Sequence, residues 1–579
     1  MFLETMNTAN LEKHLNRFGV SALHSYQQET IEAILDGQNT FSVFPTGSGK
    51  SLCFQLPAVL RPDKVTVVVS PLIALMQDQV QGLRKKGISA VTLNYTVQGE
   101  DREQVYRAIE RKEVSLVYVS PETMASTEFS RHFKADVALL AIDEGHCIST
   151  WGHSFRPNYL VLPSLIKKYG FSQVAVFTAT ATPLVREEVK QRLGLTSCID
   201  IIREPIRENI AISVSAATTE DEKKRILAEV INSRDSSIIY CATRKTTIDL
   251  STFIEREMGC ASTFYHGGLS PDERTTSQDR FMKGDAKIIC ATNAFGMGID
   301  KADIRLILHF DIPGSPESYV QEIGRAGRDG LLSAAVLCYL PSDLQLQMSF
   351  LSSQSPSTSR IDTTYRRMKQ IQAEHNQKGE TSSFPEIVRE MYKVLPFEVV
   401  NASLGVLVSA QALVFSEGRC SFDDNAYSQL DKKNIAFRTR NDSLRLGFMK
   451  KWAESGDSSS QLLLDYMRGE VSLSNGEIQD LLFQTRKGLL ELTRDSYQTA
   501  TQCRDVLSGK SLDGAEIGRE SNQIVKGSLP FLRYIKGHDY VTMEFEWLEA
   551  AGFVSKNNFS TKGIRYKATE AGIAFLNEE

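Results

Sequence analysis

The sequence predicts an α/β protein in which two tandem parallel-sheet domains are followed by a mostly helical C-terminal region. Three observations carry that expectation. From Thr40 to about Tyr339, short β-branched runs alternate with longer amphipathic stretches, the pattern of strands buried on both faces and joined by helices. The runs fall into two series with a join near Arg203 to Ser213. The length of 579 residues is about four times that of a typical single domain, so several cores are expected.

In order along the chain, the first series is Thr40 to Phe44, Val65 to Ser70, Leu116 to Ser120, Val137 to Asp143 and Val174 to Thr180. The second is Ser237 to Cys241, Lys287 to Thr292, Ile304 to Phe310 and Ala334 to Leu340. Ser352 to Arg360 and Ser455 to Ser460 have linker composition, since Ser, Pro and Gly clusters punctuate packed elements. The expected domains are therefore 1–205, 206–345, a linker with a possible winged-helix-like segment at 346–455, and a divergent region at 456–579. Near the end, Phe545 to Phe553, strands around Gly563 to Lys567, and Thr569 to Leu576 give helix, two strands, helix. That order resembles a winged-helix module, and a vaguer version lies between Phe384 and Phe422. Lys556, Lys562, Arg565 and Lys567 would make its wing basic, unless they form only a solvated charged face.

Composition excludes several classes. Hydrophobic residues are 41% of the chain, which is a globular rather than a disordered balance. Lys+Arg 66 against Asp+Glu 71 gives a net charge of −5, so any nucleic-acid site must be a local basic surface. The nine cysteines form no CxxC pair, which points to reduced thiols and a cytoplasmic protein, nucleoid-associated if bacterial. The first residues are polar and charged where a signal peptide is apolar, and no run of 18 apolar residues occurs; no membrane role is expected.

Chemistry enters at Pro45 to Ser51, PTGSGKS, directly after a strand-like run. In such a loop Thr46, Gly47, Ser48 and Gly49 let backbone N–H groups close around phosphates, Lys50 neutralises the β/γ charge, and the Ser51 hydroxyl ligates Mg²⁺. Phe44 stands where the strict phosphate-loop pattern has its first glycine. Ninety-three positions beyond Lys50, an apolar strand ends in Asp143 and Glu144. Carboxylates there face the carboxyl edge of a parallel sheet, where ligands bind. Asp143 is expected to hold Mg²⁺ and Glu144 to orient or deprotonate water. In the second domain Arg325 and Arg328 are three residues apart and would share one face of a helix. Arginines reaching a γ-phosphate are worth about 10³–10⁵ in rate.

The ordered set PTGSGKS (Pro45), SPLIALMQDQV (Ser70), YVSPE (Tyr118), DEGHCISTWGHSFRP (Asp143), FTATAT (Phe177), YCATRK (Tyr240), YHGGLS (Tyr265), ATNAFGMGID (Ala291) and SYVQEIGRAGRDG (Ser318) resembles the helicase core of the RecQ family over roughly residues 10 to 345. The resemblance implies two RecA-like domains, hydrolysis of ATP with Mg²⁺, and 3′ to 5′ movement on single-stranded DNA. It implies that Gln27 reads adenine, that Asp300 contacts the ribose, and that Arg328, with Arg325 beside it, is an arginine finger. Trp151, Phe155, Arg156 and Tyr159 fall in what looks like the family's aromatic-rich loop, which senses DNA and couples it to ATP hydrolysis. Aromatic faces stack on bases without sequence preference. Ser70, Ser120, Arg244, His266 and Thr292 match blocks that contact the DNA backbone in similar helicases.

The chain also departs from the family. DEAH is DEGH here, Thr150 and Ser154 replace the usual Gln and Asp, and Val20 and His24 stand where an aromatic and an arginine often flank adenine. After Cys338 only Cys420 and Cys503 remain, so the family's four-cysteine zinc site is absent and no zinc is expected. The implied function is an ATP-dependent DNA helicase acting on single-stranded and tailed or forked duplex DNA, in repair or recombination, with a possible protein partner at the C-terminal region. The alternative is a DNA-stimulated ATPase switch, translocase or scaffold that does not separate strands.

Overall fold

The computed structural model describes residues 8–471, apart from 95, 150–155, 157–158, 160–161, 297–300, 355–357, 378–383, 396, 417–418, 431 and 457–458, together with 554–559 and 563–568. The chain divides into two units. The first carries both large sheets and, from later in the chain, Ser455–Val471. That return differs from the expectation of one divergent region from 456 onward.

The first sheet has seven strands: β1 (Thr40–Val43), β2 (Val65–Val69), β3 (Ala90–Leu93), β4 (Leu116–Val119), β5 (Val137–Ile142), β6 (Val174–Thr178) and β7 (Ile199–Ile202). They run parallel in the order β3-β4-β2-β5-β6-β1-β7. Burial on both faces explains why the strands read as continuous apolar runs. Val67, Val69, Leu140 and Ile142 enter one core, whereas Val68, Leu139 and Ala141 enter the other. Helices α1 (Ser25–Leu35) and α2 (Leu52–Leu60) cover the second face, and α3 (Pro183–Leu193) contributes Val185 and Val189 to the first.

The second sheet has six parallel strands: β8 (Ile210–Ala216), β9 (Ser236–Tyr240), β10 (Ser262–Tyr265), β11 (Ile288–Ala291), β12 (Ile304–His309) and β13 (Ser333–Tyr339), in the order β10-β11-β9-β12-β13-β8. Helix α4 (Arg244–Glu257) packs Leu250 and Ile254 on Ile239, Ile288 and Cys290. Helix α5 (Pro316–Ile323) lies between β12 and β13 in the chain. β7 ends at Ile202 and β8 begins at Ile210, so the connector between the sheets is seven residues, 203–209.

The second unit includes Leu340–Glu454 and is helical. Helices α6 (Thr358–Gln377), α7 (Phe384–Met391) and α8 (Phe397–Ser409) share a core of Ile361, Tyr365, Met368, Ile387, Met391, Val400, Leu404 and Leu407. An antiparallel hairpin, β14 (Leu413–Ser416) with β15 (Arg419–Phe422), follows them. Between Phe384 and Phe422, where a vaguer form of the helix, two strands, helix order is expected, the chain thus has two helices and then a hairpin. After α9 (Lys432–Ala453) comes α10 (Ser459–Arg468), which belongs to the first unit. At the C-terminus β16 (Val554–Phe559) pairs with β17 (Gly563–Ala568), aligning Lys556 with Tyr566 and Asn557 with Arg565. The helices expected on either side, and Lys562, lie outside the described residues.

Candidate active site

Strand order alone gathers the chemistry. β5, β6 and β1 are neighbours, so the loop after β1, the carboxylates after β5 and Thr178 at the end of β6 share one carboxyl edge. In the loop after β1, Gly47 and Gly49 take φ of 81° and 75°, which glycine adopts without steric cost. Lys50 donates to the Phe44 and Pro45 carbonyls at 3.2 and 3.3 Å. Burial lowers its pKa, against the attraction of Glu144 and Asp143. Ser51 caps α2.

Gln27, buried on α1, accepts from the His24 backbone N–H at 2.9 Å and donates to the Ser48 carbonyl at 3.1 Å. Tyr26, which sequence reasoning passed over, donates its hydroxyl to the same carbonyl at 3.1 Å. Its ring stacks on His24 with centroids 5.2 Å apart, and the Arg203 guanidinium stands 5.8 Å from its centroid. An aromatic ring with a cation beside it therefore adjoins the phosphate loop even though Val20 and His24 replace the usual pair.

Burial first and Glu144 second push Asp143 up to about 7, and Lys50 opposes them. Glu144 is held at φ 50°, ψ 47°, a left-handed conformation costly for a side-chain-bearing residue and typical of functional sites. His146 Nδ1 lies 3.3 Å from Glu144 Oε2 and 2.8 Å from Thr178 Oγ1, joining the ends of two strands. Gly145 has a steric reason to depart from alanine: a Cβ there would overlap Val176 Cγ1 of β6. Packing against β6 therefore accounts for the glycine.

The arginine pair departs from the expectation of one helix face. α5 stops at Ile323, and residues 324–329 are turns with Gly327 at φ 55°. The glycines end the helix, and the turn sends the two side chains apart. Arg325 is buried within its own domain, donating to the Gly296 carbonyl. Arg328 crosses to the first domain, where its Cγ, Nε and Cδ would stand 2.8, 2.8 and 2.9 Å from a Cβ placed on Gly47. Thr46 Oγ1 lies 3.5 Å from the Gln321 carbonyl, so the phosphate loop and the arginine turn face each other directly. Arg207 of the connector, without any sequence signal, holds that turn: it donates to the Gly324 and Gly327 carbonyls at 2.9 and 3.1 Å and to that of Ala326. Burial and then Arg328 bring its pKa down to about 10.

The other candidates divide by location. Ser70 follows β2 and Ser120 follows the adjacent β4. Ser120 caps a short helix by accepting from the Thr123 N–H at 3.3 Å. In the second domain Arg244, His266 and Thr292 follow the neighbouring strands β9, β10 and β11. Arg244 Nη1 lies 2.8 Å from a Cβ position on Gly268, and burial followed by Arg244 lowers the His266 pKa. Arg156 donates to the Pro71 carbonyl at 3.0 Å. Of the two roles expected of Tyr159, DNA contact and coupling to hydrolysis, the first is corrected: the residue is 0% exposed and donates to the Asp143 carbonyl at 3.2 Å. It ties the stem of its loop to the carboxylates and offers no face to a base. Trp151, Phe155 and Asp300 lie outside the described residues.

A phosphate loop, carboxylates on an adjacent strand and an arginine delivered by a second parallel-sheet domain define a helicase-type nucleotide hydrolase core. DEAD/DEAH box helicase matches residues 24–189, and the helicase conserved C-terminal domain matches 222–330. The chain is 39% identical over 358 residues to the probable ATP-dependent DNA helicase RecS of Bacillus subtilis, covering 61% of this chain and 72% of that protein. It is 38% identical to the ATP-dependent DNA helicase RecQ of the same organism, covering 61% and 60%, and 36% identical to Saccharomyces cerevisiae ATP-dependent helicase SGS1, covering 58% and 24%. The chain belongs to the RecQ family of superfamily 2 helicases. It spans less than two thirds of the RecQ and SGS1 lengths. The fold is shared with the DUF1998 helicase MrfA bound to DNA (TM-score 0.50, 19% identity, 73% of this chain, 64% of that one) and with the DEAD-box helicase Mss116 (0.50, 16%, 79% and 95%).

Proposed function

We propose that this chain is an ATP-dependent DNA helicase that moves 3′ to 5′ on single-stranded DNA and separates duplexes by hydrolysing Mg–ATP, in DNA repair or recombination. The observation that carries this reading is Arg328 seated on Gly47. Hydrolysis then needs both domains at one nucleotide, so gain and loss of the γ-phosphate change their separation. Each domain brings its own candidate DNA edge, Ser70, Ser120 and Arg156 on one and Arg244, His266 and Thr292 on the other. Two edges whose spacing follows the nucleotide state would move along a strand.

Within the site, loop amides and Lys50 bind the phosphates, Glu144 takes the proton of the attacking water, and Arg328 offsets charge on the γ-phosphoryl group. His146 relays the position of Glu144 to Thr178. Ser51 and Asp143 present the oxygen donors that suit Mg²⁺, and crowding of Asp143 by Glu144 is negative charge that a divalent ion relieves. When bound, the ion would polarise the γ-phosphoryl oxygens. No structural zinc is proposed, because Cys420 and Cys503 are two ligands short of a four-cysteine site. A protein partner is proposed for the region after residue 345. Among the described residues no helix is long and apolar enough to cross a membrane.

The test is displacement of a labelled strand from duplexes with a 3′ or a 5′ tail, with ATP hydrolysis followed in the same samples. Unwinding confined to the 3′-tailed duplex supports the proposal. DNA-stimulated hydrolysis without unwinding of either duplex overturns strand separation and supports a switch or translocase.

A further inference from the structure

Helix α10 follows the second unit in sequence yet packs with the first. Its Leu463, Tyr466 and Met467 are buried, an i, i+3, i+4 stripe, and it lies against edge strand β8 and helix α5. The Tyr466 hydroxyl donates to Glu317 Oε1 at 2.7 Å, both residues being buried. Glu317 is the second residue of α5, whose last residue immediately precedes the turn bearing Arg325 and Arg328. Arg468 donates from Nη2 and Nε to Glu204 Oε1 at 2.9 and 3.2 Å. Glu204 is in the connector, three residues before Arg207, which binds the carbonyls of that same turn. Beyond the helix, Gly469 comes so near the first residue of α3 that a Cβ would stand 2.7 Å from Pro183 Cγ. Helix α10 and the glycine after it thus touch the first domain, the connector and the start of α5.

We propose that Tyr466 and Arg468 are positioning residues for ATP hydrolysis, acting through Glu317 and Glu204 to fix the Gly324–Arg328 turn against the phosphate loop. The inference rests on the reading of that cleft as the hydrolysis site. It gives the region after the core a role in the chemical step without contact to nucleotide or DNA. Removing the Tyr466 hydroxyl takes a donor from a buried carboxyl group, which is costly. The exposed Arg468–Glu204 pair contributes less.

The experiment compares the full chain with Tyr466→Phe, Arg468→Glu, Glu204→Arg and the Arg468→Glu/Glu204→Arg exchange, by DNA-stimulated ATP hydrolysis and binding of a fluorescent ATP analogue. Tyr466→Phe is expected to lower kcat by about tenfold with KM and analogue affinity unchanged, since small misplacements of a catalytic group cost rate before binding. Arg468→Glu is expected to lose about threefold, the range of an exposed pair, and the exchange to recover it. Unchanged kcat in all three single variants overturns the proposal. So does a parallel loss of kcat, affinity and melting temperature that the exchange does not repair. A wild-type chain that hydrolyses while the variants match it refutes only the positioning role; a wild-type chain without hydrolysis overturns the underlying function as well.

Discussion

Replacing Gly47 by alanine tests whether Arg328 works where it rests. A Cβ there would stand 2.8 Å from Arg328 Cγ, whereas carbon atoms settle at about 3.5–4.0 Å, so the guanidinium must retreat by about 1 Å. A displacement of that size costs on the order of 10²-fold in rate, or about 2.7 kcal/mol of barrier. The same substitution puts a side chain at φ 81°, which costs about 1–2 kcal/mol in the loop and weakens nucleotide binding separately. The two effects separate in a double-mutant cycle of Gly47→Ala with Arg328→Ala, read as DNA-stimulated kcat alongside nucleotide affinity. With Arg328 removed, Gly47→Ala is expected to retain its affinity loss and to add almost nothing to the loss of kcat. Additive losses in kcat, or full kcat in Gly47→Ala alone, would refute a catalytic arginine at this position.

Lys50→Ala is expected to abolish phosphate release, whereas Glu144→Gln binds ATP without turning it over; normal DNA-stimulated turnover in Lys50→Ala would sink the assigned phosphate site. Gly145→Ala should lower the melting temperature of the nucleotide domain through overpacking worth about 1–3 kcal/mol, and adding Val176→Ala should return part of it in the same scan. Trp151→Ala is expected to reduce DNA stimulation of hydrolysis more than basal hydrolysis, as a comparison with and without single-stranded DNA reads directly. Chelation of Mg²⁺ should stop hydrolysis, and metal analysis of the purified chain should find no stoichiometric zinc.

The buried strands were legible because a strand covered on both faces has one composition along its length: VTVVV and VALLAI announce themselves. Ala90–Leu93 and Ile199–Ile202 were not anticipated, since four residues at or near a sheet edge carry little pattern, and in β7 only Ile201 is buried. Lys50 and the Asp143–Glu144 pair were readable from strand-end position, which topology converts into proximity. Arg207 and Tyr466 were not readable. Their roles depend on carbonyls and a carboxylate more than a hundred residues away in sequence, and no local spacing encodes such a partner. Tyr159 shows the reverse error: an aromatic in a loop motif reads as exposed until the packing around it is known.

The order of strands in the second sheet also sets a constraint on biosynthesis. β8, the first of its strands to leave the ribosome, pairs among the described residues only with β13, the last, in the register Ile210 to Ser333. Such distant pairings impose slow folding, because loop closure precedes any return from contact. Until Tyr339 has emerged, β8 has no partner and β12 keeps one open edge, so the nascent chain presents two templates for misassociation at once. The arginine turn lies between β12 and β13, so the placement proposed for Arg328 arrives with the final strand, and a truncated or stalled product lacks it.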